Sequence, residues 1–276
     1  MTLAPGAAGA TGAARPARPA PQVAPTSGYD LVGSDGGVFV FGSASGYFGS
    51  LPGLGVTVDN IVGMVPSFDE QGYFLVGSDG GVFSFGDTTY EGSLPGLGIH
   101  LNDIVGIVPS ADDKGYFLVG RDGGVFAFGD AVYEGSLPGL GVALDDITSI
   151  AATPDDQGYW VLEATGTVYA FGSAHPYGGV VGQLPYVCIA ATSDGLGYWL
   201  VDIGGDVQIA GDAHFFGDLS NTPILDVVSL VPTLDDQGYW LIGQDGGVYG
   251  FGDAPYFGSL PGLGVTVNDV VGAVPT

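Results

Sequence analysis

Acidic side chains are the reactive groups this sequence offers in number. Its 276 residues include 30 Asp and Glu against 4 Lys and Arg, with 3 His and 1 Cys. The carboxylates recur at fixed places and fall into three sets. Asp35, Asp79, Asp122 and Asp245 each precede Gly-Gly, where an Asp accepts local backbone hydrogen bonds and braces a turn. Asp69-Glu70, Asp112-Asp113, Asp155-Asp156, Asp194 and Asp235-Asp236 form a second set, in polar connections that read as solvated turns. The third set is Asn60, Asp103, Asp146, Asp226 and Asp269, with Tyr186 taking the place in one copy; each directly precedes an Ile/Val-type run. If those runs line an axis, the six side chains ring one mouth of a central channel, and mutually repelling carboxylates there favour a cation. Calcium is the metal such oxygens suit, but no D-x-[DN]-x-[DN]-G loop is present, so no resident cofactor is expected. Capping of a strand start by Asp or Asn is the plainer reading.

Other chemistry is thinly represented. His100, His175 and His214 show no HxH or HExxH spacing, which leaves a zinc site unsupported. No G-x-S-x-G elbow and no G-x-x-x-x-G-K-[ST] loop occurs. Cys188 lies in an apolar run without basic neighbours and reads as an inert buried thiol. Two copies of the repeat described next depart from its pattern, and their residues His175, Tyr177, Asp202, Asp206 and His214 are candidates for a local ligand pocket, with drift as the alternative. Tyr47-Phe48, Tyr133, Phe215-Phe216 and Tyr256-Phe257 fall toward the outer edge of their copies, where exposed aromatics can stack on sugar rings.

These groups are positioned by an internal repeat. GYFLVGRDGGVFAFGDAVYEGS from Gly115 recurs closely from Gly72 and Gly238, more loosely from Gly28, and in eroded form from Gly158 and Gly197, at spacings of 39 to 44 residues. In each copy an apolar run rich in strand formers meets an Asp-Gly turn, expected as a tight two-residue hairpin, and returns. A segment such as Tyr90–Ser93 can make a third strand, and Ile104–Val108 a fourth. Frequent Gly and Pro exclude long helices. Four short strands in about 40 residues predict one propeller blade. The first copy lacks a preceding Ile/Val run and the last ends in one, Asp269–Pro275. The expectation is therefore an all-β, six-bladed β-propeller of four-stranded blades over 28–276, closed by the C-terminal inner strand joining the first blade. A superhelical array is the alternative.

The pattern GYW(L/F)(V/I)-x-x-DGG-V-(F/Y)-x-FGDA, then (Y/F)-x-GS and an Ile-Val-Gly run, resembles repeats of secreted and cell-surface proteins of actinobacteria. It is also similar in architecture to WD40-type and kelch-type propellers, although the WD dipeptide and structural His are absent. The resemblance implies an extracellular or cell-surface location. Residues 1–27 are Ala/Pro-rich and read as a disordered linker or a signal remnant. No apolar run is long enough to insert in a membrane. A net charge of -26 argues against nucleic acid and anionic membranes as partners. The resulting expectation is a monomeric, non-catalytic scaffold that binds cell-wall or extracellular glycan, or a protein partner. Alternatives are a carboxylate-dependent glycan lyase or hydrolase at the channel mouth, and a structural module of a larger secreted hydrolase.

Overall fold

The computed structural model describes residues 28–42, 46–67 and 70–276. The 1–27 segment and Asp69 lie outside the described residues. The described residues form six antiparallel sheets, each of three strands, with only short 3-10 turns for helix among them. β1 (Gly28–Gly33) and β2 (Val38–Gly42) are the first described strands. β3 (Ile61–Pro66), β4 (Gly72–Gly77) and β5 (Val82–Gly86) form the next sheet, and β6 (Ile104–Pro109), β7 (Gly115–Gly120) and β8 (Val125–Gly129) the one after. β9 (Ile147–Ala152), β10 (Gly158–Glu163) and β11 (Val168–Gly172) are followed by β12 (Tyr186–Ala191), β13 (Gly197–Asp202) and β14 (Val207–Gly211). β15 (Val227–Pro232), β16 (Gly238–Gly243) and β17 (Val248–Gly252) precede the last strand, β18 (Val270–Pro275). β18 completes the first sheet, pairing with β1 in the register Tyr29↔Pro275 to Val32↔Gly272.

The middle strand of each sheet is buried along its whole length, which is why these strands read as unbroken apolar runs rather than alternating ones. Odd and even side chains meet different neighbours. Tyr116 and Leu118 of β7 pack with Phe74 and Val76 of β4, while Phe117 and Val119 pack with Tyr159 and Val161 of β10. Six such apolar clusters bridge successive sheets, one of them joining Tyr29 and Leu31 of the first sheet to Trp240 and Ile242 of the last.

Two backbone-level links run through all six sheets. In the first, the hydroxyl of each middle-strand tyrosine donates to a glycine carbonyl of the preceding copy: Tyr73 to Gly49, Tyr116 to Gly92, Tyr159 to Gly135, Tyr198 to Gly178, Tyr239 to Gly217 and Tyr29 to Gly258. Burial pushes the Tyr73, Tyr116, Tyr159 and Tyr198 phenols up to about 12, so they remain donors across the ordinary pH range. In the second, each inner strand's first N–H donates to a hairpin carbonyl of the preceding sheet, as Ile104 does to Ser78 and Val270 to Gln244. That hairpin residue's N–H in turn donates to the carbonyl just before its own inner strand, as Ser78 does to Asn60 and Ser34 to Asp269. The twelve bonds, 2.7–3.1 Å long, return to their starting residue.

Two details differ from the sequence expectation. The hairpin is a four-residue connection: Gly77 N–H bonds Gly81 O at 2.8 Å, Gly80 adopts φ 75°, and Asp79 Oδ1 accepts the Gly81 N–H at 2.9 Å. A side chain at Gly80 would strike Leu94, whose apolar group is fully buried beneath the turn. The strand expected at Tyr90–Ser93 is the second correction. Segment 88–93 forms no ladder with β5, and the described sheets are three-stranded. Gly92, at φ 135°, turns the backbone away, and its neighbours' polar groups go instead to Tyr116: Glu91 N–H donates to the phenol oxygen at 3.2 Å and Gly92 O accepts from it.

One position breaks the aromatic pattern between sheets. Where β4, β7, β10, β13 and β16 place Phe74, Phe117, Trp160, Trp199 and Trp240, β1 places Asp30. Asp30 is fully buried, neither carboxylate oxygen has a hydrogen-bond partner, and burial pushes its pKa up to about 7. Its charge falls next to Tyr73, the ring that in the other sheets packs on an aromatic partner. A folded-state pKa above the unfolded value means the Asp30 contribution to stability is fully present below about pH 4 and is lost as pH rises through about 7, by on the order of 2–4 kcal/mol. Asp30→Phe is therefore expected to raise the urea midpoint at pH 8 and to abolish this pH dependence. A variant with the wild-type difference between pH 5 and pH 8 would refute the assignment.

Candidate binding sites at the axis and the rim

The strand-start residues supply carbonyls to the twelve-bond circuit, and their side chains turn over their own sheets. Built Cβ atoms at Gly243 and Gly33 lie 3.6 and 3.7 Å from carboxylate oxygens of Asp226 and Asp269, and one at Gly77 lies 3.0 Å from Asn60 Nδ2. Asp103 stands likewise over Gly120, whose hairpin carries Asp122. Asp103, Asp146 and Asp226 are half-buried, and each has one enclosed oxygen without a hydrogen-bond partner. Burial, then the charge of Glu163 and Asp145, raises Asp146; burial, then Asp245, raises Asp226. Tyr186 is displaced by one residue from this set. Its N–H bonds Ala164 O as Ile104 N–H bonds Ser78 O, so it is the first strand residue and is buried at 1% exposure. Pro185, whose carbonyl accepts from Ile203, occupies the place of Asp103. Among the described residues no group of three or more His, Cys, Asp or Glu is arranged to hold a metal ion, and no helix is long and apolar enough to cross a membrane.

The five residues of the divergent copies are not brought together. Asp202 ends β13, whereas Asp212 and His214 lie beyond its other end, where Gly197 pairs with Gly211. Asp202 Oδ1 accepts the N–H groups of Gly204 at 2.9 Å and Asp206 at 3.0 Å, replacing the turn brace that Asp122 supplies elsewhere. Asp206 accepts from Gln208 Nε2. His175 and His214 contribute their carbonyls, which accept the indole N–H of Trp160 at 2.8 Å and Trp199 at 2.7 Å, as Pro255 O does for Trp240. The His175 ring packs tilted against Tyr177 with centroids 4.6 Å apart, and Tyr177 meets Tyr198 edge-on.

The connection set does more than solvate turns. Its first acid braces the loop: Asp155 Oδ1 accepts from Thr153 at 2.6 Å, Ser173 at 2.8 Å and Gln157 N–H at 3.0 Å. Burial pushes Asp155 up, but these hydrogen bonds outweigh it and hold the carboxyl below its usual range. The second acid sits at positive φ, 57° at Asp113, 56° at Asp156 and 58° at Asp236. Asp156 Oδ1 thereby accepts the N–H of Ala111 at 2.7 Å and Asp236 Oδ2 that of Ser193 at 2.8 Å, each in the preceding copy. The copy that lacks the second acid has Gly195 there, and it faces Pro154, which has no N–H to offer. In the same region burial, then the Asp194 charge, raises Asp212, while Asp194 is held low because hydrogen bonds from Leu196, Thr192 and Asp212 outweigh its burial.

Asp113, Asp156 and Asp236 border a cavity of about 460 Å³ walled by the inner strand of every sheet. None of Asn60, Asp103, Asp146, Asp226 and Asp269 lines it, nor does Tyr186. Cys188 does: it is half-buried in the wall rather than sealed in a core, and its thiol, raised by burial, lies 3.8 Å from Leu230 O.

In the segment after the hairpin a second feature repeats. Leu51, Leu94, Leu137 and Leu260 are buried, and each starts a Pro-Gly-Leu 3-10 turn whose own leucine (Leu54, Leu97, Leu140, Leu263) is 66–71% exposed. Beside each turn stands an exposed tyrosine: Tyr47, Tyr90, Tyr133 and Tyr256. The Tyr90 hydroxyl bonds Ser93 Oγ at 2.9 Å, and that oxygen also accepts the Gly96 N–H at 3.2 Å. The same three-part bonding recurs in the other three copies. Phe215 is exposed as well, while Phe48, Phe216 and Phe257 are half-buried against Tyr73, Tyr239 and Tyr29.

The brace reading of Asp202 is open to test. Asp202→Ala removes the acceptor of one buried and one part-buried N–H group and is expected to cost about 1–3 kcal/mol in denaturant unfolding, whereas Asp206→Ala should change stability by less than about 0.5 kcal/mol. Equal, small effects would show that Asp202 is not holding the turn. The chain matches no protein-family model and no curated protein.

Proposed function

We propose that the six sheets are the blades of a closed β-propeller and that the protein is an extracytoplasmic scaffold binding neutral glycan through its rim. The pairing of β18 with β1, the tyrosine latches and the hydrogen-bond circuit support the ring. One observation carries the binding reading: four of the six copies present the same rigid shelf of exposed tyrosine, serine-anchored turn and exposed leucine. Fixing the phenol by a hydrogen bond removes rotamer freedom before any ligand arrives, which lowers the entropic cost of stacking. A flat aromatic face beside polar backbone suits the apolar face and hydroxyls of a pyranose ring. Four such shelves on one rigid body bind a polymeric ligand by avidity, so weak single sites suffice. The net charge of -26 favours a neutral saccharide over an acidic one. The extracytoplasmic setting follows the resemblance of the repeats.

A glycan array run with and without calcium tests this reading. Polymeric neutral glycans are expected to bind in both conditions; a requirement for calcium would instead point to the strand-start acids. Tyr90→Ala should leave binding to immobilised polymer nearly intact. Replacing Tyr47, Tyr90, Tyr133 and Tyr256 together with Ala should lower it by at least about 100-fold through lost avidity. Undiminished binding in the fourfold variant, or no retained glycan, would overturn the proposal.

A further inference from the structure

The axial cavity carries a separate inference. The third residue of each inner strand faces it: Gly63, Gly106 and Gly272 on three consecutive sheets, then Ser149, Cys188 and Ser229 on the next three. The three glycines are not demanded by the backbone. None has a positive φ, and a Cβ added to any of them would meet nothing nearer than 3.6 Å. Glycine in a strand interior costs stability relative to a β-branched residue. What these glycines do is leave the lumen open. A volume of about 460 Å³ lies within the roughly 300–1,000 Å³ of small-molecule sites.

The walls of the lumen are of three kinds. Val62, Val105, Val228 and Val271 give it an aliphatic lining, the Ser149–Cys188–Ser229 arc gives weak polar contacts, and Asp113, Asp156 and Asp236 border one end. No Lys or Arg lines the lumen. Burial, with the nearby charges of Asp194 and Asp212, raises Asp236, against the Ser193 hydrogen bonds. A cation placed beside Asp236 favours its charged form.

We propose that the axial cavity is a binding site for one amphipathic cation, an alkylammonium chain. The hydrocarbon tail lies along the glycine–valine wall, and the charged head sits at Asp113, Asp156 and Asp236. The site is independent of the rim shelves, since it draws on other residues at the axis.

The probe is octyltrimethylammonium below its micellar range, with octanol and octanoate as uncharged and anionic controls. Cys188 is the only thiol in the chain, so its reaction with a small uncharged maleimide reports on occupancy. Calorimetry is expected to give one site per chain, and ligand at about ten times Kd should slow labelling about tenfold. Gly106→Val with Gly63→Val should fold at least as stably as the wild type, by circular dichroism and Tm, yet lose binding. Should that pair fail to fold, Gly272→Ala is the milder plug and should weaken binding without loss of Tm. Asp236→Asn retains an oxygen acceptor for Ser193 and should weaken the cation by about fivefold, with octanol unaffected. No saturable heat, undiminished binding in folded plugged variants, or equal protection by octanoate would each overturn the proposal.

Discussion

A phenol hydroxyl reaching across to a neighbouring backbone is the contact on which this structure turns. No three-stranded sheet of this size can bury two apolar faces alone. Each must be covered on both sides, and side-chain packing by itself would permit sliding. The middle-strand tyrosines remove that freedom, because each hydroxyl donates to one glycine carbonyl of the preceding copy, and most also take an N–H beside it. The bond fixes spacing, the ring fills the seam, and the segment after the hairpin has its polar groups satisfied without joining a sheet. Six repetitions of one geometric step, rather than any single large core, set how successive sheets are placed.

The irregular copies show which parts of the step are physically required. The buried leucine beneath the hairpin is replaced by Val180 and Leu219, whose N–H groups still bond Gly166 and Gly205. The turn brace moves from the Asp122 position to Asp202. Where the inter-copy clamp has lost its acid, at Gly195, its facing residue Pro154 has lost the donor. Each change leaves no orphaned group behind. Asp30 is the exception: it breaks an aromatic seam and receives no partner. That seam adjoins the sheet formed by β18, β1 and β2.

Much of this was legible in the sequence because it is local. Strand runs, the Asp-Gly hairpins and the placement of 270–275 beside β1 follow from turn chemistry and from one unpaired run at each end of the repeat series. What stayed hidden depends on partners far along the chain. The strand expected at Tyr90–Ser93 failed because the hydrogen bonds of Glu91 and Gly92 are taken by Tyr116 of the next copy. The place of Tyr186 was misjudged by one residue because its copy lacks the Leu-Pro-Gly-Leu-Gly turn that sets the spacing elsewhere. Asp156 and Asp236 looked like half of a solvated pair, and their role shows only once Ala111 and Ser193, some forty residues earlier, are seen to face them. The cavity is written in glycines, which give no sequence signal beyond their smallness. The rim tyrosines could be located, yet their exposure could not.

The proposed ring depends on the first and last strands lying side by side, and a cross-link interrogates that contact directly. Asp30 and Val274 are paired across β1 and β18, at a separation that suits a disulfide in antiparallel strands. In a Cys188→Ser background, Asp30→Cys with Val274→Cys should oxidise to completion within a monomer and migrate faster on a non-reducing gel, with Tm unchanged or raised. Two thiols that remain free under mild oxidant in the folded protein, or that pair only between chains, would contradict the closed arrangement.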